Sequence, residues 1–158
     1  METKIDALVS KMERSRQRLN AALDQIAPQA EIYPSWKLKQ MLDHITGWDE
    51  LVAKSLLTYK KGDEPGPAVK GGINQFNAES VAAREGMPVE RSRFAYDAAR
   101  QRVIKILCEL PPEMLAQRFK APWGGYCTVA SIVKIFVSHE QEHAQQIENI
   151  ISHPISEP

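Results

Sequence analysis

A basic excess is missing from this chain. Its 158 residues hold 20 Lys plus Arg against 20 Asp plus Glu, for a formal net charge of zero. Nucleic-acid binders usually show a basic excess or stripe, so the charge predicts no nucleic-acid partner. Long apolar runs are missing as well. None approaches the roughly 18 residues needed to cross a bilayer, and the N-terminal METKIDALVSKMERSRQRL has no apolar segment of the secretory kind. Cysteine is scarce. Cys108 and Cys127 make neither a disulfide framework nor a cysteine zinc site, and both read as small, soft fillers of a reduced protein. Sustained period-two alternation, internal repeats and domain linkers are absent, which predicts no sheet and one domain over 1–158. These absences set the expectation of a soluble, cytoplasmic protein with no membrane partner.

What is present is helical. The chain is 43% hydrophobic and 25% charged, enough to fill a core and keep a wet surface. Ile5, Leu8, Val9, Met12, Leu19, Ala22, Leu23 and Ile26 recur at three/four spacing and predict a helix over about 3–26. Arg14, Arg16 and Arg18 read as its solvated face. A second helix is expected from Ser35, read as N-cap, to about Tyr59, with the stripe Leu38, Met41, Leu42, Ile45, Trp48, Val52 and Leu56. The segment KKGDEPGPAVKGG is too long and polar for a tight turn. Shorter helical pieces follow at 73–84 and 113–118, and long helices at 89–110 and 129–152, the last capped by Thr128 and stopped by Pro154. Four long helices and a short accessory one predict an all-α four-helix bundle. Its long joints favour crossover connections.

The histidines carry the chemical signal. Ile132, Phe136, His139, His143, Ile147 and Ile150 share one narrow stripe of the last helix. His139 and His143 therefore interrupt an apolar face one turn apart. Two buried imidazoles need two sets of partners, and each unpaired group costs about 1–3 kcal/mol. One divalent cation satisfies both, since zinc–imidazole bonds of about 2.0–2.1 Å suit rings at this spacing. His44, flanking the second helix's stripe, is a third candidate ligand. Three protein ligands leave a coordination position for water or substrate, as catalytic sites do. His153 follows the last apolar turn and stays outside this group.

The residues HEQEH at 139–143 also match H-E-x-x-H, which would make Glu140 the general base of a zinc protease. The following AQQIEN lacks the metzincin extension, and little chain remains for a further ligand. The plainer expectation is that Glu140 and Glu142 flank the ligand stripe and face solvent or the second shell.

Two segments, SWKLKQMLDHITGWDELV and GGYCTVASIVKIFVSHEQEHAQQI, resemble the conserved helices of the DinB-like superfamily of metalloenzymes. This includes YfiT-type and mycothiol- or bacillithiol-dependent enzymes. The resemblance spans about 35–150. It implies a four-helix bundle with two crossover connections and a metal triad at His44, His139 and His143. It implies nickel, zinc or iron as the ion, and often a homodimer. The middle region, GINQFNAESVAAREGMPVERSRFAYDAARQRVI, is similar to the N-terminal bundle of mycothiol-dependent maleylpyruvate isomerases and to the ClbS-like branch, which protects DNA from a genotoxin. The single domain expected over 1–158 corresponds to the bundle alone, without the isomerases' second domain.

Asn77 and Tyr96 lie on the region that must close the bundle around a metal, so an amide or hydroxyl there can orient substrate; Tyr96 joins Glu140 as a candidate catalytic residue. Trp123-Gly124-Gly125-Tyr126 can form a lip over the open position. The expected function is metal-dependent transfer of a low-molecular-weight thiol to a small electrophile, or its hydrolysis. A protective ligand-binding bundle is the alternative and a zinc protease the remote one.

Overall fold

The computed structural model describes residues 1–153; Pro154, the expected helix stop, lies outside them. Five α-helices form: α1 (Lys4–Gln25), α2 (Leu38–Lys60), α3 (Ile73–Ala82), α4 (Val89–Glu109) and α5 (Val129–Ser152), with a 3-10 turn at Pro112–Met114. Thr3 caps α1 in a reciprocal pair with Asp6, and Thr128 caps α5 in one with Ser131. Ser35 is not the cap of α2. It takes φ 69° after Pro34, and Trp36 N–H donates to the Tyr33 carbonyl at 2.8 Å. Pro followed by a positive-φ residue is the pattern of a type II turn, so the chain turns back at Ser35 and α2 starts only after Lys37.

The four long helices make the bundle. Arg16 meets Glu140 and Arg18 meets Glu148, so α1 and α5 run parallel. Asp49 meets Arg100 and Lys60 meets Glu109, so α2 and α4 are parallel too. At 1.5 Å per residue, segment 61–88 must return the chain by about the length of α2 before α4 can begin. The short α3 rides on α2 along the way, and the close approach is set by Gly47, where an added Cβ would lie 2.7 Å from Ser80 Cβ.

The expectation of no sheet needs one correction. Phe119–Lys120 (β1) and Tyr126–Cys127 (β2) pair antiparallel, Phe119 with Cys127 and Lys120 with Tyr126. Two residues per strand are too few to leave an alternating signature. Gly124 and Gly125, at φ 102° and 73°, close the loop. The Pro122 carbonyl accepts from Ala68 and Val69 N–H, tying the returning segment to this hairpin.

The core comes in two apolar clusters. One gathers Met12, Val52, Val103 and Phe136; the other gathers Leu19, Ile45, Tyr96 and Ala144. Between them, at mid-height, every long helix contributes polar groups.

Candidate metal centre

Each histidine arrives on a helix whose neighbouring turns are locked in the core. His44 lies between the buried Met41 and Ile45 on α2, while His139 and His143 follow Phe136 and precede Ile147 on α5. Their Nε2 atoms converge. His44 Nε2 is 3.3 Å from both other Nε2 atoms, and those two are 2.7 Å apart. Tetrahedral ligands at about 2.05 Å from zinc stand about 3.3 Å from each other. Two of the three separations match that value and the third is closer. Three imidazoles offering one nitrogen each to a common point can share a divalent ion.

The surroundings keep these rings neutral, as ligands must be. Burial, then the charges of His139 and His143, pulls His44 down to about 3. Burial, then His139, pulls His143 down to about 4, and burial also lowers His139. His143 Nδ1 lies 2.8 Å from the Tyr33 hydroxyl and 3.3 Å from Gln146 Oε1. An Nδ1–H donating to these oxygens leaves Nε2 its lone pair, which is the tautomer a metal needs. Burial, with Glu142 nearby, pushes Tyr33 up to about 12, so its hydroxyl stays protonated. His44 Nδ1 is buried without a hydrogen-bond partner among the described residues. Trp36 packs on the His44 ring at a centroid distance of 5.0 Å. The donor set and its geometry fit a metal.

Tyr33 and Trp36 were not found by sequence reasoning. The signal was the YPSW turn, which folds both aromatics back against the histidines. Two expected participants lie elsewhere. Glu140 faces α1 and α4: Oε1 accepts from Arg100 Nη1 at 2.7 Å and Ser15 Oγ at 3.2 Å, and Oε2 accepts from Arg16 Nε at 2.6 Å. The expectation of a Glu140 flanking the stripe in solvent is corrected, because its exposure is 1%. Arg16 is likewise no part of a solvated face. It is 7% exposed and its Nη2 donates to Asp49 at 2.8 Å. Arg100 Nη2 donates to Asp49 Oδ1 at 3.0 Å, closing a neutral ring of two arginines and two carboxylates. Tyr96 is fully buried under the Arg16 guanidinium, 3.9 Å from its ring centre, with its hydroxyl donating to Asn20.

Beside His44 and His139 opens a cavity of about 270 Å³, walled by Trp48, Asn77, Trp123 and Phe136, with Ile73 and Ile135 among its lining. Asn77 therefore does reach the site, as does Trp123 of the expected lip. Tyr126 is exposed. His153 ends α5, its Nδ1 3.0 Å from the Asn149 carbonyl.

Residues 11–147 match the family model described as the DinB superfamily, and the chain belongs to that family. No curated protein matches it in sequence. Among solved structures, the mycothiol-dependent maleylpyruvate isomerase superposes with a TM-score of 0.76 at 9% identity, over 92% of this chain and 61% of that one. The chain thus spans under two thirds of the isomerase. The colibactin self-resistance protein ClbS, solved in complex with a dsDNA, superposes with a TM-score of 0.77 at 15% identity, over 94% of this chain and 96% of that one. Identities this low establish the fold alone. The dsDNA in the second structure means that zero net charge does not by itself exclude a nucleic-acid partner. Among the described residues, no helix is long and apolar enough to cross a membrane.

Proposed function

We propose that this DinB superfamily member is a divalent-metal-dependent enzyme that transfers a low-molecular-weight thiol to a small electrophile, or hydrolyses one. The observation that carries this reading is the convergence of the His44, His139 and His143 Nε2 atoms, 2.7–3.3 Å apart, at the wall of a cavity. A zinc, nickel or iron ion held there would supply Lewis-acid chemistry, favouring deprotonation of a coordinated water or thiol.

The chain's own residues do the rest. The three imidazoles would hold the ion beside the cavity that His44 and His139 line and, being only three, would leave it able to take a further ligand. Tyr33 and Gln146 fix His143 in its ligand tautomer. Trp48, Trp123 and Phe136 exclude water from the electrophile. Glu140 and Tyr96 act in this reading as positioning residues, since the oxygens of one and the hydroxyl of the other are already engaged. The chain's own sulfurs are poor nucleophile candidates. Cys127 is buried and its thiol is pushed up to about 11 by that burial, while Cys108 is exposed on α4, outside the cavity lining. The thiol is therefore an external one: its sulfur bonds to the electrophilic carbon as that carbon's bond to a leaving group, or the π bond of an activated double bond, breaks, and the departing or newly anionic atom takes up a proton in place of the one the thiol loses.

Metal analysis of protein purified without added metal tests the reading, followed by electrophile consumption with several cellular thiols, before and after reloading. One ion per chain, lost in His139→Ala, and turnover that survives Cys127→Ser are expected. Full metal retention in the Ala variants at all three histidines would refute it. A protective binding module is the second reading, favoured because ClbS matches over nearly the whole of both chains while the isomerase does not. Stoichiometric sequestration of an electrophile without metal-dependent turnover is its signature.

A further inference from the structure

The wall of the cavity says more about its occupant than the three histidines do. Its lining contains no lysine, arginine, aspartate or glutamate. Trp48 forms the floor of an aromatic cluster, 4.5 Å from Phe76 and 6.2 Å from Trp123 between ring centres. Ile73 and Ile135 remain 57% and 47% exposed, leaving apolar surface in water beside it. A lining of this kind stabilises a flat apolar body and offers no counter-charge to a buried anion.

One polar group is aimed by its neighbours. Trp48 Nε1–H donates to Asn77 Oδ1 at 2.7 Å. An indole N–H can only donate, so it holds the amide by its oxygen and leaves the NH2 end as the free donor. Asn77 belongs to the lining, so that donor is the one available to an oxygen in the cavity.

We propose that the cavity takes an uncharged, flat aromatic molecule carrying a carbonyl-type oxygen, the ring against Trp48 and Trp123 and the oxygen accepting from the Asn77 amide. This rests on the reading of the centre as a substrate site and names the substrate class, but it does not need the metal. The lining that selects the ring is protein alone.

The test titrates 2-acetylnaphthalene, naphthalene and 2-naphthoate, followed by tryptophan fluorescence and calorimetry. Protein is used as purified and after chelation. The ketone should bind both forms. In the chelated form, where no cation can receive a carboxylate, 2-naphthoate should bind at least tenfold more weakly than the ketone. Asn77→Leu should weaken the ketone several-fold and leave naphthalene unchanged. Ile135→Lys, at a position already 47% exposed, should raise 2-naphthoate affinity and narrow the gap. The proposal falls if 2-naphthoate binds the chelated protein as well as the ketone does, or if Asn77→Leu weakens naphthalene and ketone alike. It also falls if the ketone binds neither form. Metal content decides the other question separately: a metal-loaded protein that ignores the ketone overturns this inference and spares the metal reading. A metal-free one that binds it does the reverse.

Discussion

Replacing Glu140 by glutamine should damage the fold far more than an isosteric change suggests. The carboxylate takes three hydrogen bonds from two arginines and a serine at 1% exposure. Glutamine keeps one acceptor oxygen. Whichever way its amide lies, an NH2 confronts a guanidinium donor. The ring loses a charge, and Arg16 and Arg100 are left sharing Asp49. Removing one partner of a buried pair costs about 3–5 kcal/mol. For a chain of this size each kcal/mol lowers Tm by roughly 2–4 °C, so a fall of about 6–20 °C is expected in a thermal melt. Arg18→Ala is the control. Its pair with Glu148 is 43% and 35% exposed, and such pairs contribute only about 0–1 kcal/mol. The double variant Arg16→Met, Glu140→Leu leaves the Arg100–Asp49 pair neutral and should recover at least half of the loss. Acid sharpens the contrast. Burial alone would raise the Glu140 carboxyl, but Arg100 and Arg16 outweigh it and hold it below its ordinary value. Its contribution is therefore full above the unfolded carboxyl's range and disappears as pH falls through the lower folded value. The single variant should lack that part of the acid slope. A Glu140→Gln protein melting within about 2 °C of wild type would refute the reasoning, because the ring would then contribute no more than a surface pair.

Three further outcomes are open to simple measurement. Tyr33→Phe removes the hydroxyl 2.8 Å from His143 Nδ1 and should weaken metal binding about 10–100-fold in a competition titration, with Tm of the chelated protein little changed. Chelated wild type should melt lower than loaded protein, by about 2.7 kcal/mol if the ion had been at a hundred times its Kd. Its stability should fall further as pH drops from the ordinary histidine value of 6.5 toward the folded values of about 3 for His44 and 4 for His143, because only the unfolded chain binds those protons in that window. Gly47→Ala should lower Tm by several degrees despite alanine's helix advantage of about 1 kcal/mol, since its Cβ would meet Ser80 Cβ at 2.7 Å; Ser80→Gly should restore it.

The helices and the His139–His143 pair were legible because both depend on spacing within one element, whereas His44 stands on another helix and was joined to them by the family resemblance. His139 and His143 sit on a stripe that period 3.6 exposes without any tertiary knowledge. The charged ring follows the same rule, although the alternation of Arg14, Arg16 and Arg18 by itself reads as a solvated face. Met12, Arg16, Leu19 and Leu23 form one stripe. So do Ile45, Asp49, Val52 and Leu56; Tyr96, Arg100, Val103 and Leu107; and Phe136, Glu140, Ala144 and Ile147. A single charge interrupts the middle of each of four core stripes, two of each sign, and all four are buried. The hairpin and the Tyr33–Trp36 turn were harder. Each is set by two residues in special conformations, and a positive φ at Ser35 cannot be read from a serine.

The literal H-E-x-x-H match dissolves once the helix is given its neighbours. His139 and His143 point toward α2 and Glu140 points toward α1 and α4, so one turn of α5 carries ligands on one side and a structural carboxylate on the other. The ring sits at the level where the two apolar clusters part, and its Glu140 lies between the ligands His139 and His143 on α5. An apolar layer there could be as stable, so stability does not account for it. Direction does: guanidinium–carboxylate pairs fix geometry in a way methyl groups do not, and this ring ties α5 to α1, α2 and α4 next to the ligands. The double variant Arg16→Met, Glu140→Leu separates the two roles. With the ring as a positioning device, it recovers at least half of the Tm lost in Glu140→Gln and yet binds metal at least tenfold more weakly, as changes around metal ligands typically do. Unchanged metal affinity in a well-folded double variant would show that α5 keeps its register by apolar packing alone.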